Sequence, residues 1–266
     1  MTRAGNTGDH RWGVAERIAV GAAGLSLVIA LVLMIVTAWP RTFHGAAVAA
    51  PAPPTPAQPQ PASLTAPQIP GWQAAVSTDR NAAFDLPPTW YVEGPGWVYG
   101  YRIKQINMQI AFSGGAQYRK ATCPSDHSTN SNSAIAGVGG SAITDLAAAA
   151  TDSARLWAWG MFSDDNAPLA QVTLTDPLPM TVAGKPAMAV TATVPKTYCA
   201  DGRSGVLHAI ALPGNRNQPV VFVVGAEQGI PDAASDADMQ KMLTSVRPAG
   251  LTPAQCKQGN VVGTWC

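Results

Sequence analysis

Hydrophobic positions fall into three regimes along the chain. Residues 18–39, IAVGAAGLSLVIALVLMIVTAW, run for 22 positions without a charge. At about 1.5 Å per residue such a run makes roughly 33 Å of helix, enough for a hydrocarbon core of about 30 Å. An uncharged Pro/Ala stretch follows. From Gly71 onward, short apolar runs alternate with polar positions. AAFDLP (82–87), TWYVE (89–93), WVYGYRI (97–103) and INMQIAF (106–112) come first. QVTLTD (171–176), AMAVTATV (187–194), GVLHAIAL (205–212) and PVVFVVGA (219–226) come later. Period-2 alternation and β-branched or aromatic residues between Pro/Gly clusters make these strands. The unbroken apolar run of PVVFVVGA predicts a strand covered on both faces.

Two segments change period. Ile143, Leu146, Ala147, Ala150, Ala154, Trp157 and Met161 recur at helical spacing, which places Trp157 on the inward stripe and Trp159 about 200° away from it. A second helix is expected over residues 236–245, with Met239, Met242, Leu243 and Val246 inward. Ser235 followed by Asp238 resembles a capping box, and Pro248 blocks continuation. Strands, a helix, more strands and a last helix predict an α+β domain, an antiparallel sheet flanked by helices.

The N-terminal regime reads as a membrane anchor. Arg3, Arg11 and Arg17 precede the apolar run and only Arg41 and His44 follow it closely, so residues 1–17 are expected in the cytoplasm. Trp12 and Trp39 bracket the span as interfacial aromatics would. Ala47-Val48-Ala49 has the form of a signal-peptidase site, but signal cores run about 7–15 residues, and the length favours a retained transmembrane helix at residues 18–39. No Cys follows the span closely, which excludes lipoprotein processing. Residues 40–70 are a linker. From Ala46 to Pro70 it holds eight Pro and eight Ala with no charge, a composition that stays extended and buries no core. Residues 71–248 are the expected extracytoplasmic domain, and 249–266 a C-terminal tail closed by a disulfide.

Charge excludes one class of partner. Seventeen basic and 16 acidic residues leave a net charge of +1, without the basic field of a nucleic-acid binder. All four cysteines, Cys123, Cys199, Cys256 and Cys266, lie beyond the span, which suits disulfides in an oxidising compartment. Three pairings are possible, and Cys123–Cys199 with Cys256–Cys266 is favoured. No CxxC or His-x-His spacing points to a metal.

Catalytic patterns are sparse. G-x-S-x-G, H-E-x-x-H and the P-loop are all absent. Gly137-Val138-Gly139-Gly140 follows the polar stretch SDHSTNSNS, and is expected to be a flexible lead into the first helix rather than a phosphate loop. Asp126 and His127 sit side by side in that stretch. They are the candidate pair if the protein is an envelope hydrolase, although adjacency does not itself orient a base. His208 shares a strand face with Val206, Ile210 and Leu212 and reads as a sheet residue. The best candidate binding feature is aromatic: Trp97, Tyr99 and Tyr101 alternate along one strand and project from one face. Such a face either packs under a helix or binds sugars, lipids or a protein. In the second case the site is a groove between this hairpin and residues 125–141.

With those residues placed, a family resemblance emerges. AFDLPPTWYV (83–92) is similar to the opening segment of small mycobacterial envelope lipoproteins with a Mog/PsbP-type fold, and DADMQKMLTSVRP (236–248) resembles the last helix and S-x-R-P strand of that fold. IPGWQ (69–73) and VVGAEQGIPDA (223–233) resemble an actinobacterial family described as a domain of unknown function. The resemblance implies an α/β/α sandwich around an antiparallel sheet, and supplies no catalytic residue. The expectation is a single-pass, membrane-anchored, extracytoplasmic protein of the actinobacterial cell envelope. It is a non-enzymatic binding or accessory module without cofactor, whose partner is an envelope protein, glycan or lipid. The alternatives are a hydrolase using His127 and Asp126, and a structural module without a ligand.

Overall fold

The computed structural model describes residues 65–120, 123, 132–199, 202–252, 254–256 and 261–266. The expected span at residues 18–39, nearly all of the linker, and Asp126 with His127 lie outside the described residues. Among those described, no helix is long and apolar enough to cross a membrane.

Strands dominate, as the alternating pattern requires. In chain order they are β1 (Gln73–Ser77), β2 (Ala82–Leu86), β3 (Tyr91–Val92), β4 (Val98–Ile103), β5 (Met108–Lys120) and β6 (Asn132–Gly140). Helix α1 (Leu146–Phe162) follows, then β7 (Thr173–Leu174), β8 (Leu178–Val182), β9 (Lys185–Val194), β10 (Ser204–Leu212), β11 (Val220–Gln228), helix α2 (Asp236–Thr244) and β12 (Arg247–Pro248). The larger sheet runs β3-β5-β6-β11-β10-β9-β7, with β4 also on the free edge of β5 and β8 on that of β9. Its pairings are all antiparallel. β1, β2 and β12 form a second, three-stranded antiparallel sheet.

Each face of the larger sheet buries its own core. One packs beneath α1, whose Ala149, Ala150, Ala154 and Ala158 are fully buried and let the helix axis approach the strands closely. The other packs beneath α2 and the small sheet, around Phe84, Phe222, Met239 and Met242, with the Phe84 and Phe222 rings 4.7 Å apart. β11 contributes to both cores: Val221 and Val223 turn to α1, Val220, Phe222 and Val224 to α2. Its continuous apolar run therefore has the two-sided cover expected of it.

A buried ion pair ties the small sheet together. Arg247 on β12 donates to Asp85 on β2 at 2.8 Å and to the backbone oxygens of Ser245 and Ala66. Asp85 also accepts from the backbone N–H groups of Gln68 and Ile69, and its own N–H donates to Ser245 Oγ. The C-terminal tail is laced to the same end. Trp265 donates through Nε1 to Pro213 O at 2.7 Å and through its backbone to Arg80 O, and Arg80 donates to the carbonyl of Val262. Cys123–Cys199 and Cys256–Cys266 are the two disulfides, with Cα separations of 5.5 and 5.8 Å.

Several expectations need correction. The stretch expected to be loop through Ala142 enters the sheet at Asn132, and residues 132–140 form the inner strand β6. Its glycines misled because their purpose is room. A Cβ on Gly137 would stand 2.1 Å from the Phe112 ring, which lies across the bare strand. β5 is nearly twice as long as expected and bends at a bulge between Ser113 and Ala116, where Gly114 takes φ +61°. β1 and β8 were not anticipated, and residues 89–93 and 171–176 shrink to two-residue strands. α1 starts at Leu146, after Asp145 caps the Ala148 N–H, so Ile143 lies outside it and is exposed. α2 has the expected Ser235 cap. The sheet is flanked by a helix on one face, but the other carries a second small sheet beside the short α2, so the sandwich is mostly β.

Candidate groove beneath helix α1

Where α1 and the edge of the sheet part company, they leave an open groove of about 420 Å³. Its origin is local. The β5–β6 ladder stops at Ser113–Val138, so Met108–Ala111 pair with β4 alone. Gly139, two residues beyond Gly137 on the α1 side of β6, puts no side chain into the space. Met108, Ile110, Leu156 and Trp157 supply apolar walls, and Ser141, Asp152 and Ser153 supply polar atoms. Ile143 and Met108, respectively 38 and 40% exposed, stand at the lips.

Trp97, Tyr99 and Tyr101 do share one face, as period 2 requires, but that face is turned to α1 and each ring is half-buried. Trp97 stacks on Tyr99 at 5.3 Å, Tyr99 on Phe112 at 5.8 Å, and Phe112 on Trp157 at 4.7 Å. Tyr101 meets Trp157 edge-on at 6.0 Å, and the Tyr99 hydroxyl donates to that of Tyr101 at 3.1 Å. None of the three lines the groove. They hold Trp157, which does. Burial pushes the Tyr101 hydroxyl well above the ordinary tyrosine range, and the neighbouring Tyr99 adds to the shift.

The aromatic face expected to wall a groove does not line this one, and of the described residues between 125 and 141 Gly139, Gly140 and Ser141 do. The sequence reading missed Asp152. It sits in the polar triplet Thr151-Asp152-Ser153, which interrupts the apolar run of α1 and marks the flank of its buried stripe.

Two other polar clusters lie apart from the groove. At the far end of α1's core face, Glu227 and Arg203 form an ion pair at 2.5 Å, both about 95% buried. Glu227 Oε1 lies 3.0 Å from the Cys199 sulfur. Cys123, Cys199 and Glu227 converge closely enough to ligate an ion, but the two sulfurs are bonded to each other and the carboxylate is held by Arg203. On the opposite face, His208 bridges Thr191 Oγ1 at Nδ1 (2.9 Å) and Asp236 Oδ1 at Nε2 (2.6 Å). Thr191 is its partner in the β9–β10 register and Asp236 opens α2, so the chain of hydrogen bonds pins that helix to the sheet. It faces away from the groove.

A family described as a domain of unknown function (DUF8017) matches residues 65–251. No curated protein matches the chain. Solved structures of similar fold include the cyanobacterial PsbP of Synechocystis, 12% identical over 68% of this chain and 94% of that one, with a TM-score of 0.37. The Saccharomyces cerevisiae Ran-binding protein Mog1p is 10% identical over 67% and 95%, also with a TM-score of 0.37. LpqN of Mycobacterium tuberculosis, described as involved in cell envelope biogenesis, is 16% identical over 62% and 76%, with a TM-score of 0.29.

Proposed function

The chain belongs to the DUF8017 family, and from that premise we propose that it is a non-enzymatic binding module, anchored by residues 18–39 and carried outside the cytoplasmic membrane of an actinobacterial envelope, that holds an amphipathic ligand in the groove beneath α1. The groove itself carries this reading. At about 420 Å³ it falls in the range of small-molecule sites, roughly 300–1,000 Å³, and its lining joins Met108, Ile110, Leu156 and Trp157 to the polar Gln109, Ser141, Asp152 and Ser153. Among the described residues, the clusters with catalytic residue types, Thr191–His208–Asp236 and Arg203–Glu227, tie elements together, and none of their members lines the groove. The aromatic ladder of Trp97, Tyr99 and Tyr101 then acts as the mount for Trp157, positioning the wall that a ligand touches.

The test is native mass spectrometry of the full chain extracted from host membranes. A co-purifying small molecule retained by the wild type and lost from Ala142→Trp, an exposed lip position widened to block the groove, is the expected result. Equal retention by both chains overturns the groove as the site. Topology is tested separately. Protease added to spheroplasts should remove residues 71–266 and leave residues 1–17 protected.

A further inference from the structure

We infer that the groove selects a cationic amine borne on an apolar chain, with the amine seated on Asp152. The inference rests on the reading of the groove as a binding site and specifies what that site prefers. Among the described residues that line the groove, Asp152 is the one with a charged side chain. It is half-buried on the flank of α1, and among the described residues its carboxylate makes no hydrogen bond or ion pair. Arg155, less than one turn further along the helix, is outside the lining and forms no ion pair with it.

A carboxylate beside a concave apolar surface, without a cation of its own, favours ligands that bring one. It disfavours fatty-acid carboxylates and bare phosphates, because like charge in a partly desolvated site costs more than in water. Ser153 and Ser141 also line the groove, and their hydroxyl oxygens are further acceptors for an ammonium, which has three protons to place. Met108, Ile110, Leu156 and Trp157 then receive the chain. The shared chemistry has two sources, an amine-bearing lipid headgroup or a free alkylamine, and the probes separate them.

The purified full chain is titrated with octylamine, octanol and octanoate, and with dihexanoyl phosphatidylethanolamine against dihexanoyl phosphatidylglycerol, followed by ligand-observed NMR. In the wild type octylamine should bind roughly fivefold more tightly than octanol, about what a half-exposed ion pair gives, and octanoate should bind least. Asp152→Asn should erase that preference and leave octanol unchanged. Ala142→Trp should weaken every ligand. Preference for the ethanolamine lipid over the glycerol lipid assigns the source to a membrane headgroup, and binding of octylamine alone assigns it to a free amine; both support the inference. If octanol matches octylamine in the wild type while Ala142→Trp still blocks both, the amine assignment fails and the groove stands. If Ala142→Trp changes nothing, the groove reading fails and takes the inference with it.

Discussion

Asp85 and Arg247, 162 residues apart in sequence, meet as a buried ion pair at 2.8 Å, 0 and 6% exposed in their side chains. They belong to AFDLPP and to the S-x-R-P segment, so the ion pair joins two segments from opposite ends of the domain that also pair as strands β2 and β12. Asp85 further collects the N–H groups of Gln68 and Ile69. One carboxylate therefore fastens the segment that leads into β1, the strand β2 and the strand β12.

Breaking that pair from one side leaves an uncompensated buried charge. Arg247→Met should cost about 3–5 kcal/mol in urea unfolding of the full chain. Asp85→Leu should cost a similar amount, and the double variant less than the sum of the two, because each single change already removes the shared interaction. Strict additivity would mean that the pair is not coupled.

Gly137 is predicted to tolerate no side chain. Its Cβ would stand 2.1 Å from the Phe112 ring, and that ring cannot retreat while it stacks on Trp157 and Tyr99. Gly137→Ala should destabilise by about 1–3 kcal/mol, read as a lowered Tm. Combining it with Phe112→Leu should cost less than the two single changes together.

The disulfides differ in reach. Cys123–Cys199 closes a separation of 76 residues and Cys256–Cys266 one of 10. On the loop-entropy account, replacing the long-range pair by Ser should cost about 4 kcal/mol against about 3 for the short one. Paired denaturant curves of the two double-Ser variants give that order, and a larger loss from the C-terminal pair would reverse it.

Tyr101 predicts an alkaline limit. Its folded-state pKa is raised above the ordinary value of 10.0, first by burial and then by Tyr99. Below pH 10 both states are protonated and the shift has no effect. Above it the unfolded chain loses the proton first, so stability falls as pH rises from about 10. Tyr101→Phe should flatten that decline in melts recorded between pH 9 and 11, while an unchanged slope would place the titrating group elsewhere.

The large features were legible because they are periodic. The face shared by Trp97, Tyr99 and Tyr101 and that shared by His208 and Ile210 follow from spacing alone, while the unbroken apolar run of β11 marked its two-sided cover and Ser235 marked the start of α2. What escaped had no periodic signal. β6 is built from Ala and Gly, whose small size suits a strand crossed by a Phe112 ring but reads as a loop in one dimension. Whether the Trp97–Tyr101 face met solvent or α1 depended on where the helix lands, which is a tertiary fact. Asp152 entered the groove for the same reason, as one polar residue on a helix flank that only the neighbouring β5 edge turns into a wall.

The claim that the groove holds a ligand is met most directly by photo-cross-linking in intact host cells. Benzoylphenylalanine is placed at Ile143 on the lip, 38% exposed, and in a control chain at Leu178 on the opposite sheet edge, 66% exposed. The account predicts a small-molecule adduct on the peptide carrying position 143, absent at position 178 and lost when Ala142→Trp is added. Adducts of the same kind and yield at both positions would contradict it.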